Sequence, residues 1–306
     1  MVVKPLEGIR VADFSWVAAG PISTKYLAIL GAEVIKIESS RRPDTLRRLG
    51  NTAHPTVNYS KRGCTLNITE PKGIDLAKDI IKKRDVVIDN FAYGVMDRLG
   101  LGYEALREIK PDIIVVSAAG LGKTGPHKEH VAFGMLVESY SGLHGITGYE
   151  GGPPRDLGSP WSDPLNGCYL TLAMLAALKH HKCTGEGQYI EFSMAEVVSA
   201  QLPEAILDYT VHGNVWEPRG NIEEGASPHN CYPCLGEDKW VAIAVTTEDE
   251  WSRFCVAIGN PEWCHDEQFA DRYRRFQHRQ ELDRLVGEWT VHRTSQEVME
   301  ILQAEN

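Results

Sequence analysis

The sequence predicts an α/β protein in two parts: a large domain built on a Rossmann-like parallel sheet, and a smaller α+β domain. Three observations lead to this prediction. The first 38 residues form a strand–helix–strand unit, and strand-like and helix-like segments then alternate as far as about residue 200. A stretch rich in Gly, Pro and acidic residues follows at 217–228, before a shorter region of further strand and helix patterns.

The first unit consists of a strand, a loop, a helix and a second strand. An apolar run that ends at Phe14 leads into the small-residue loop Ser15–Pro21 and a helix over Ile22–Leu30, which Gly31 ends. A β-branched run then ends at Glu38. The unit lacks the G-x-G-x-x-G spacing that lets a backbone approach a dinucleotide pyrophosphate, so Glu38 is not interpreted as a ribose-binding acid.

Strands and helices continue to alternate through the large domain. Strands are predicted at Thr65–Ile68, Val86–Asn90 and Ile113–Ser117, and helices at Lys72–Lys83, Tyr103–Ile109, Leu165–His181 and Met194–Val211. Ligands of such sheets bind at the carboxyl ends of the strands. The loops Phe14–Pro21, Asn90–Arg98 and Ser117–Pro126 lie at such ends, so a ligand is expected there.

The domain boundary is predicted after the helix that ends near Val211. The predicted division is 1–211 for the large domain, 212–228 for a linker or flexible loop, and 229–306 for the small domain. Within the small domain a strand is predicted at Trp240–Val245, and helices at Glu248–Ile258, Gln277–Trp289 and Ser295–Gln303. Thr247, and Thr294 or Ser295, are the expected helix caps.

The composition excludes several classes of partner. With 42% hydrophobic and 24% charged residues among 306, the chain resembles an ordinary globular protein. The formal charge of −10 argues against nucleic acid, whose binding needs a broad basic face. No apolar stretch reaches the ~18 residues of a membrane span, and Lys4, Glu7 and Arg10 interrupt any signal-peptide core. We therefore expect a cytoplasmic protein without a membrane partner.

The cysteines do not predict a disulfide framework or a metal site. There are seven of them, an odd number, scattered through a long chain, so reduced thiols are expected. Cys231 and Cys234 have the C-x-x-C spacing, but no second such pair completes a set of four zinc ligands. No bound metal is expected.

Six ordered blocks of sequence resemble the class III coenzyme A (CoA) transferases, the CaiB/BaiF or formyl-CoA transferase family. The blocks are the opening 38 residues, Asn58–Asn67, Asp89–Gly100, Ser162–Gly167, Thr184–Gln188 and Pro228–Cys234. Such a series is far more specific than one short motif. The resemblance implies an acyl-CoA donor and a carboxylic acid acceptor as substrates, with no tightly bound cofactor.

The resemblance also implies a particular assembly. Members of this family form an interlaced homodimer, in which each chain threads through its partner. By comparison with the family this chain looks about a quarter shorter at its C-terminal end, so the small domain is expected to be incomplete.

Asp163 is the candidate catalytic residue. It directly precedes Pro164 and a strongly apolar segment, which on spacing alone predicts a helix N-cap with Pro164 at the first helical position. The resemblance assigns it another role, because it matches the family aspartate whose carboxylate attacks the acyl-CoA thioester. A mixed anhydride and then an aspartyl-CoA thioester follow. The helix N-terminus is expected to keep the carboxylate ionised.

Residue-by-residue matching to the family predicts a CoA site in the first loop, on the third strand and after the fourth strand. The matched residues are Val17, Ala18, Ala19, Leu66, Asn90, Phe91 and Arg98. Basic residues also cluster around the second and third strands, at Arg41, Arg42, Arg47 and Arg48 and at Lys61 and Arg62, where they could neutralise CoA phosphates. Arg41 is the candidate taken from this cluster.

Departures from the family patterns narrow the reaction. Ala18 replaces a glutamine of formyl-CoA transferases and Ser39 an arginine, so formyl-CoA and oxalate are not the expected substrates. Phe133 occupies the position of the histidine base of the related 2-methylacyl-CoA racemases, and His130 lies three residues earlier. A racemase and a non-catalytic CoA-binding subunit of a heteromeric transferase are the alternatives to a transferase.

Overall fold

The computed structural model describes residues 4–305, which divide into two compact units. The first unit comprises the described residues up to Thr147 together with Pro154–Glu217. The second comprises Gly148–Pro153 and the chain from Pro218 onward. The domain limits at residues 211 and 229 remain a prediction. In the structure the first unit ends at Glu217, and the second unit continues from Pro218.

Six parallel strands form the sheet of the first unit. They are β1 (Arg10–Asp13), β2 (Glu33–Glu38), β3 (Arg62–Thr65), β4 (Val86–Asp89), β5 (Ile114–Ala119) and β6 (Gln188–Ser193). Their order across the sheet is β3-β2-β1-β4-β5-β6, and every neighbouring pair is parallel. The order reverses between β1 and β4, which is where doubly wound sheets bind ligands. The predicted α/β fold class is confirmed.

Helices connect the strands and cover the sheet. They are α1 (Ala19–Ile29), α2 (Ala53–Asn58), α3 (Pro71–Ile81), α4 (Val95–Arg98), α5 (Tyr103–Ile109), α6 (Gly134–Tyr140), α7 (Ser162–Thr184), α8 (Met194–Ser199) and α9 (Pro203–His212). Alternate residues of the central strands face two hydrophobic cores. Val11, Val86 and Ile114 pack with α1 and α7, whereas Ala12 and Val87 pack with α3 and α5. Burial on both faces explains the continuous apolar runs of these strands.

Several elements differ from the sequence predictions: helices α2, α4 and α6 were not predicted, and three further differences are instructive. The third strand lies at Arg62–Thr65, earlier than the predicted Thr65–Ile68, because it pairs with β2 from Ile35 to Glu38. The helix predicted over Met194–Val211 is two helices, since Pro203 lacks the N–H that a continuous helix requires and instead begins α9. Strand β6 follows Gly187 and was not predicted.

The second unit has a two-stranded antiparallel sheet and four helices. Its elements are β7 (His229–Pro233), β8 (Trp240–Ala244), α10 (Glu248–Ala257), α11 (Arg272–Gln277), α12 (Arg279–Thr290) and α13 (Ser295–Gln303). Tyr232, Trp251 and Phe254 belong to its own hydrophobic core. Thr247 and Thr294 cap α10 and α13 with complete capping boxes, which confirms the predicted caps.

Helices α1 and α7 approach closely at Gly167. A Cβ atom at this position would lie 2.5 Å from Cγ2 of Ile22 and 3.3 Å from the carbonyl oxygen of Ala19. Only a glycine leaves room for this approach, which places the start of α7 next to the start of α1. Within residues 4–305, none of the helices has the length and apolar character needed to cross a membrane.

Candidate active site

A cavity of about 480 Å³ opens in the first unit at the carboxyl ends of β1, β4 and β5. Three loops that were predicted to hold a ligand contribute to its wall. Its lining includes Trp16–Ala19, Ser39, Arg41, Arg42, Asn67–Thr69, Asn90–Ala92, Ala119, Gly120, Val131–Phe133, Asp163 and Met194. The cavity therefore lies at the point where the strand order reverses.

Asp163 and six of the predicted CoA-binding residues line this one cavity. The six are Val17, Ala18, Ala19, Arg41, Asn90 and Phe91. Leu66 does not line it and packs instead against the core beside α3 and α5. Arg98 is exposed on α4, where Nη1 donates to the carbonyl of Tyr93 at 3.5 Å. All eight CoA-binding assignments remain predictions.

A buried polar network fixes the loop after β1. Asp13, which is fully buried, accepts hydrogen bonds from Ser15 Oγ at 2.5 Å, Thr24 Oγ1 at 2.6 Å and Lys61 Nζ at 3.0 Å. Lys36 Nζ donates to the carbonyl of Ser15. Burial opposes ionisation of Asp13, but the two lysines and two hydroxyls outweigh it and hold the pKa of Asp13 well below its ordinary value.

Lys61 does not have the exposed position that its place in a basic cluster suggested. Its side chain is 1% exposed and bonds Asp13, the carbonyl of Pro21 and Asn58. Burial lowers the pKa of Lys61 to about 8, with Asp13 opposing that change. The lysine therefore ties β3 to the loop and α1 rather than facing phosphate.

The same loop is pinned to the end of β4. Trp16 N–H donates to Asn90 Oδ1, and Asn90 Nδ2 donates to the carbonyl of Trp16, both at 2.7 Å. Val17 has a left-handed backbone with φ of 63°, and its N–H donates to Asp44 Oδ2 at 3.0 Å. A β-branched residue in this conformation costs ~1–3 kcal/mol, which these bonds offset. Sequence reasoning missed Asp44, which carries no motif of its own.

Aromatic and basic side chains form one part of the wall. The ring of Phe91 lies edge-on to that of Trp16 at 5.7 Å between centroids, and the guanidinium of Arg42 lies 5.2 Å from the Trp16 ring. Arg41 is 77% exposed and makes a 3.5 Å ion pair with Glu70. Among the described residues that line the cavity, these two arginines carry the positive charge.

The start of α7 differs from the sequence prediction. The helix begins at Ser162 with Trp161 as its N-cap residue, so Asp163 lies inside the first turn and is not the cap. The Ser162 amide donates to Glu138 Oε1 at 2.7 Å, and the Asp163 amide donates to the carbonyl of Pro160 at 3.1 Å. Glu138 accepts the hydrogen bond of the first amide of α7. The Asp163 carboxylate therefore does not cap the helix, and it lines the cavity.

The Asp163 carboxyl group is buried beside another acid. Burial, and then the nearby charge of Glu138, raise the pKa of Asp163 to about 6. The helix N-terminus was expected to keep this carboxylate ionised, whereas burial and Glu138 oppose its ionisation. Gly134 leaves space for the group, since a Cβ there would lie 3.0 Å from Asp163 Oδ2.

A second cavity, of about 500 Å³, lies within the second unit. It is lined by polar side chains that include Glu150, Asn230 and Arg279, and it contains none of the predicted site residues. Between residues 4 and 305 no group of three or more His, Cys, Asp or Glu side chains is arranged to hold a metal ion.

The fold and the first cavity define a doubly wound α/β protein in which, among the described residues that line the cavity, Asp163 supplies the one carboxyl group. Residues 6–306 match CoA-transferase family III, and the chain belongs to that family. Enzymes of this family use CoA thioesters as substrates. The predicted family and the predicted enzyme class, a class III CoA-transferase, are both confirmed.

Named relatives support this assignment. The succinyl-CoA–D-citramalate CoA-transferase of Chloroflexus aurantiacus is 32% identical over 302 residues, which cover 96% of this chain and 75% of that protein. The succinate–glutarate CoA-transferase of Agrobacterium fabrum is 31% identical over 300 residues, covering 94% and 74%. A crystal structure of a CaiB/BaiF family protein from Brucella suis matches with a TM-score of 0.92 and 28% identity, covering 99% and 82%.

Replacing Lys61 by Met should destabilise the protein, because Asp13 would keep its buried charge without its nearest cation. We expect the free energy of unfolding to fall by ~3 kcal/mol, measured by urea denaturation. Lys82→Met is the control, since its ion pair with Asp79 is more than half exposed, and it should change stability little. Equal stability of the Lys61→Met variant and the wild type would contradict a structural role for the pair.

Proposed function

We propose that this chain transfers CoA from an acyl-CoA donor to a carboxylic acid acceptor through covalent intermediates on Asp163. The supporting observation is the state of that side chain. It lines the cavity, is 8% exposed, and only burial and the charge of Glu138 influence its titration among residues 4–305. A carboxylate without hydrogen-bond donors retains its lone pairs for attack on a thioester.

The proposed reaction is a series of acyl exchanges without any redox step. An Asp163 oxygen attacks the thioester carbonyl, the C–S bond breaks, and CoA thiolate leaves from a mixed anhydride. The thiolate attacks the aspartyl carbonyl and releases the donor acid, which leaves an aspartyl-CoA thioester. The acceptor carboxylate then attacks the aspartyl-CoA thioester, which releases CoA thiolate and forms a second mixed anhydride. The thiolate attacks the acceptor carbonyl of this anhydride, which yields the acceptor-CoA thioester and regenerates the Asp163 carboxylate.

The racemase alternative has no supporting observation at the cavity. His130 is exposed, and its Nδ1 lies 3.3 Å from the carbonyl of His127. It does not line the cavity, whereas Phe133 does. A racemase needs a general base within reach of the α-carbon. Succinyl-CoA is the first donor to test, because two relatives are named for succinyl-CoA or succinate.

Asp163→Asn should separate catalysis from stability. An amide cannot form the anhydride, so we expect the transfer rate to fall by at least ~10³-fold, measured with succinyl-CoA and a panel of carboxylic acids. The melting temperature should stay close to that of the wild type, because Asp163 does not cap α7. Asp156→Asn, at an exposed acid in the loop before α7, is the control and should keep full activity. Substantial transfer by the Asp163→Asn variant would contradict the mechanism.

CoA affinity should depend on Arg41 more than on Arg98. Arg41 lines the cavity and Arg98 does not, so Arg41→Ala should weaken CoA binding by ~10-fold or more, as for loss of one charged hydrogen bond. Arg98→Ala should change the dissociation constant by less than ~3-fold. Isothermal titration with CoA gives both values. If the larger loss follows Arg98→Ala, the phosphates bind outside this cavity.

We further propose that the chain assembles as an interlaced homodimer. Helix α9 has no buried residue, and its Ile206, Leu207, Tyr209 and Val211 side chains are each more than half exposed. Such an apolar surface is typical of an interface. Light scattering should give twice the chain mass of 34.1 kDa, and Leu207→Glu should shift the mass toward one chain. A compact monomer of the wild-type chain at micromolar concentration would contradict this assembly.

A further inference from the structure

Glu138 is a fully buried carboxylate outside the set of residues predicted from the sequence. It lies on α6 and is 0% exposed. Its Oε1 accepts the hydrogen bond of the Ser162 amide at 2.7 Å, and its Oε2 lies 2.9 Å from Nε2 of His144. Because a carboxylate only accepts hydrogen bonds, the His144 Nε2 carries the proton in this contact. Each oxygen of Glu138 therefore has one partner.

The histidine is itself held in place. Nδ1 of His144 lies 2.8 Å from Oγ of Ser139, the residue that follows Glu138 on α6. A buried carboxylate is costly unless it is paired and hydrogen-bonded. The two contacts of Glu138 meet that requirement, and they fix the orientation of its side chain toward the first turn of α7.

Glu138 caps helix α7, although it lies on a different helix, α6. The residue in the N-cap position of α7, Trp161, makes no side-chain capping bond. The first amide of this 23-residue helix is bound by Glu138 instead, and an anion at a helix N-terminus is favourable. Ser162 Oγ also donates to the carbonyl of Gly134 at 3.0 Å, so α6 holds Ser162 at two points.

We propose that Glu138 is a positioning residue for the transfer reaction: it caps α7 through the Ser162 amide, with His144 holding its second oxygen, and thereby leaves the adjacent Asp163 carboxylate free to react. This inference rests on the proposed role of Asp163. An aspartate that capped its own helix would have its lone pairs engaged by an amide and its carboxylate turned toward the backbone.

The same arrangement places a second negative charge near the nucleophile. Glu138 on α6 is the charged group that acts on Asp163 in the described structure, with His144 paired behind it. On the other helices packed against α7, Lys25 of α1 lies over the rings of Tyr26 and Tyr59, and Glu196 of α8 is exposed. Neither contributes to the titration of Asp163.

Two substitutions separate the cap from the charge. In Glu138→Gln, the amide oxygen can still accept the Ser162 N–H and the amide NH₂ can donate to a neutral His144, so the cap is kept and the charge is lost. Glu138→Ala removes both. Glu196→Gln, at the exposed acid of α8, is the matched control for loss of one negative charge.

The readout is the pH dependence of kcat/KM together with kcat at pH 8. The reactive form needs an ionised Asp163, so wild-type activity should fall as the pH drops through about 6. Glu138→Gln should move this midpoint lower by ~0.5 because a like charge is gone, with kcat at pH 8 within ~3-fold of the wild type. Glu138→Ala should lower kcat by ~10²-fold, the scale expected for a misplaced reacting group, with a smaller change in KM.

The outcomes test the positioning role of Glu138 separately from the role of Asp163 as the nucleophile. Full kcat in a folded Glu138→Ala, or a loss of kcat in Glu138→Gln as large as that in Glu138→Ala, overturns the positioning role while Asp163 stays essential, because Glu138→Gln keeps the cap. An unchanged pH midpoint in Glu138→Gln overturns the effect of the Glu138 charge on Asp163. If Glu138→Ala does not fold, kcat of Glu138→Gln at pH 8 decides: a value within ~3-fold of the wild type supports positioning through the cap, and a ~10²-fold loss overturns it. Activity in Asp163→Asn would instead overturn the proposed mechanism, whatever the Glu138 variants do.

Discussion

The buried ion pair between Asp13 and Lys61 is the constraint on which the ligand-binding edge of this protein depends. With its hydrogen bonds it joins the end of β1 and the first turns of α1 to the residue before β3, which is 48 residues from Asp13 in the sequence. Two opposite charges in a dry interior are tolerated only with complete hydrogen bonding. Ser15, Thr24 and Asn58 supply that bonding. The loop they fix becomes one wall of the cavity.

A second constraint brings the proposed nucleophile to that wall. Gly167 lies four residues after Asp163 on α7, about one helical turn, and allows α7 to approach Ala19 and Ile22 at the start of α1. The contact fixes the axis of α7, and the bond from Glu138 to the Ser162 amide fixes its first turn. Asp163 thus reaches the cavity through helix packing and an acid on α6, with no contribution from its own capping ability.

The sequence predicted the sheet well because hydrophobic periodicity reports burial. β1, β4 and β5 contribute buried apolar residues to the cores on both faces of the sheet, and their runs stand out between polar segments. Residue spacing alone was less informative about the site. Residue spacing predicted that Asp163 is a helix N-cap. Only the family resemblance predicted a chemical role for this residue. The first helical position proved to be Ser162, because a carboxylate distant in sequence satisfies that amide.

Other parts of the site left no readable signal. Lys61 sits in a basic pair that looks like a solvated surface, yet its partner Asp13 is 48 residues away. Glu138 lies in an ordinary helical sequence and His144 in an ordinary turn sequence. Their pairing follows from the fold. Such long-range polar contacts depend on three-dimensional placement, whereas helix ends such as Thr247 and Thr294 are encoded within four residues.

The central claim, that Asp163 forms the covalent intermediate, is tested most directly by trapping. Protein incubated with succinyl-CoA and quenched with hydroxylamine should carry a hydroxamate on the peptide that contains Asp163, identified by peptide mass spectrometry. The Asp163→Asn variant treated in the same way should lack it. A hydroxamate on another residue, or transfer activity without any modification of that peptide, would contradict the account.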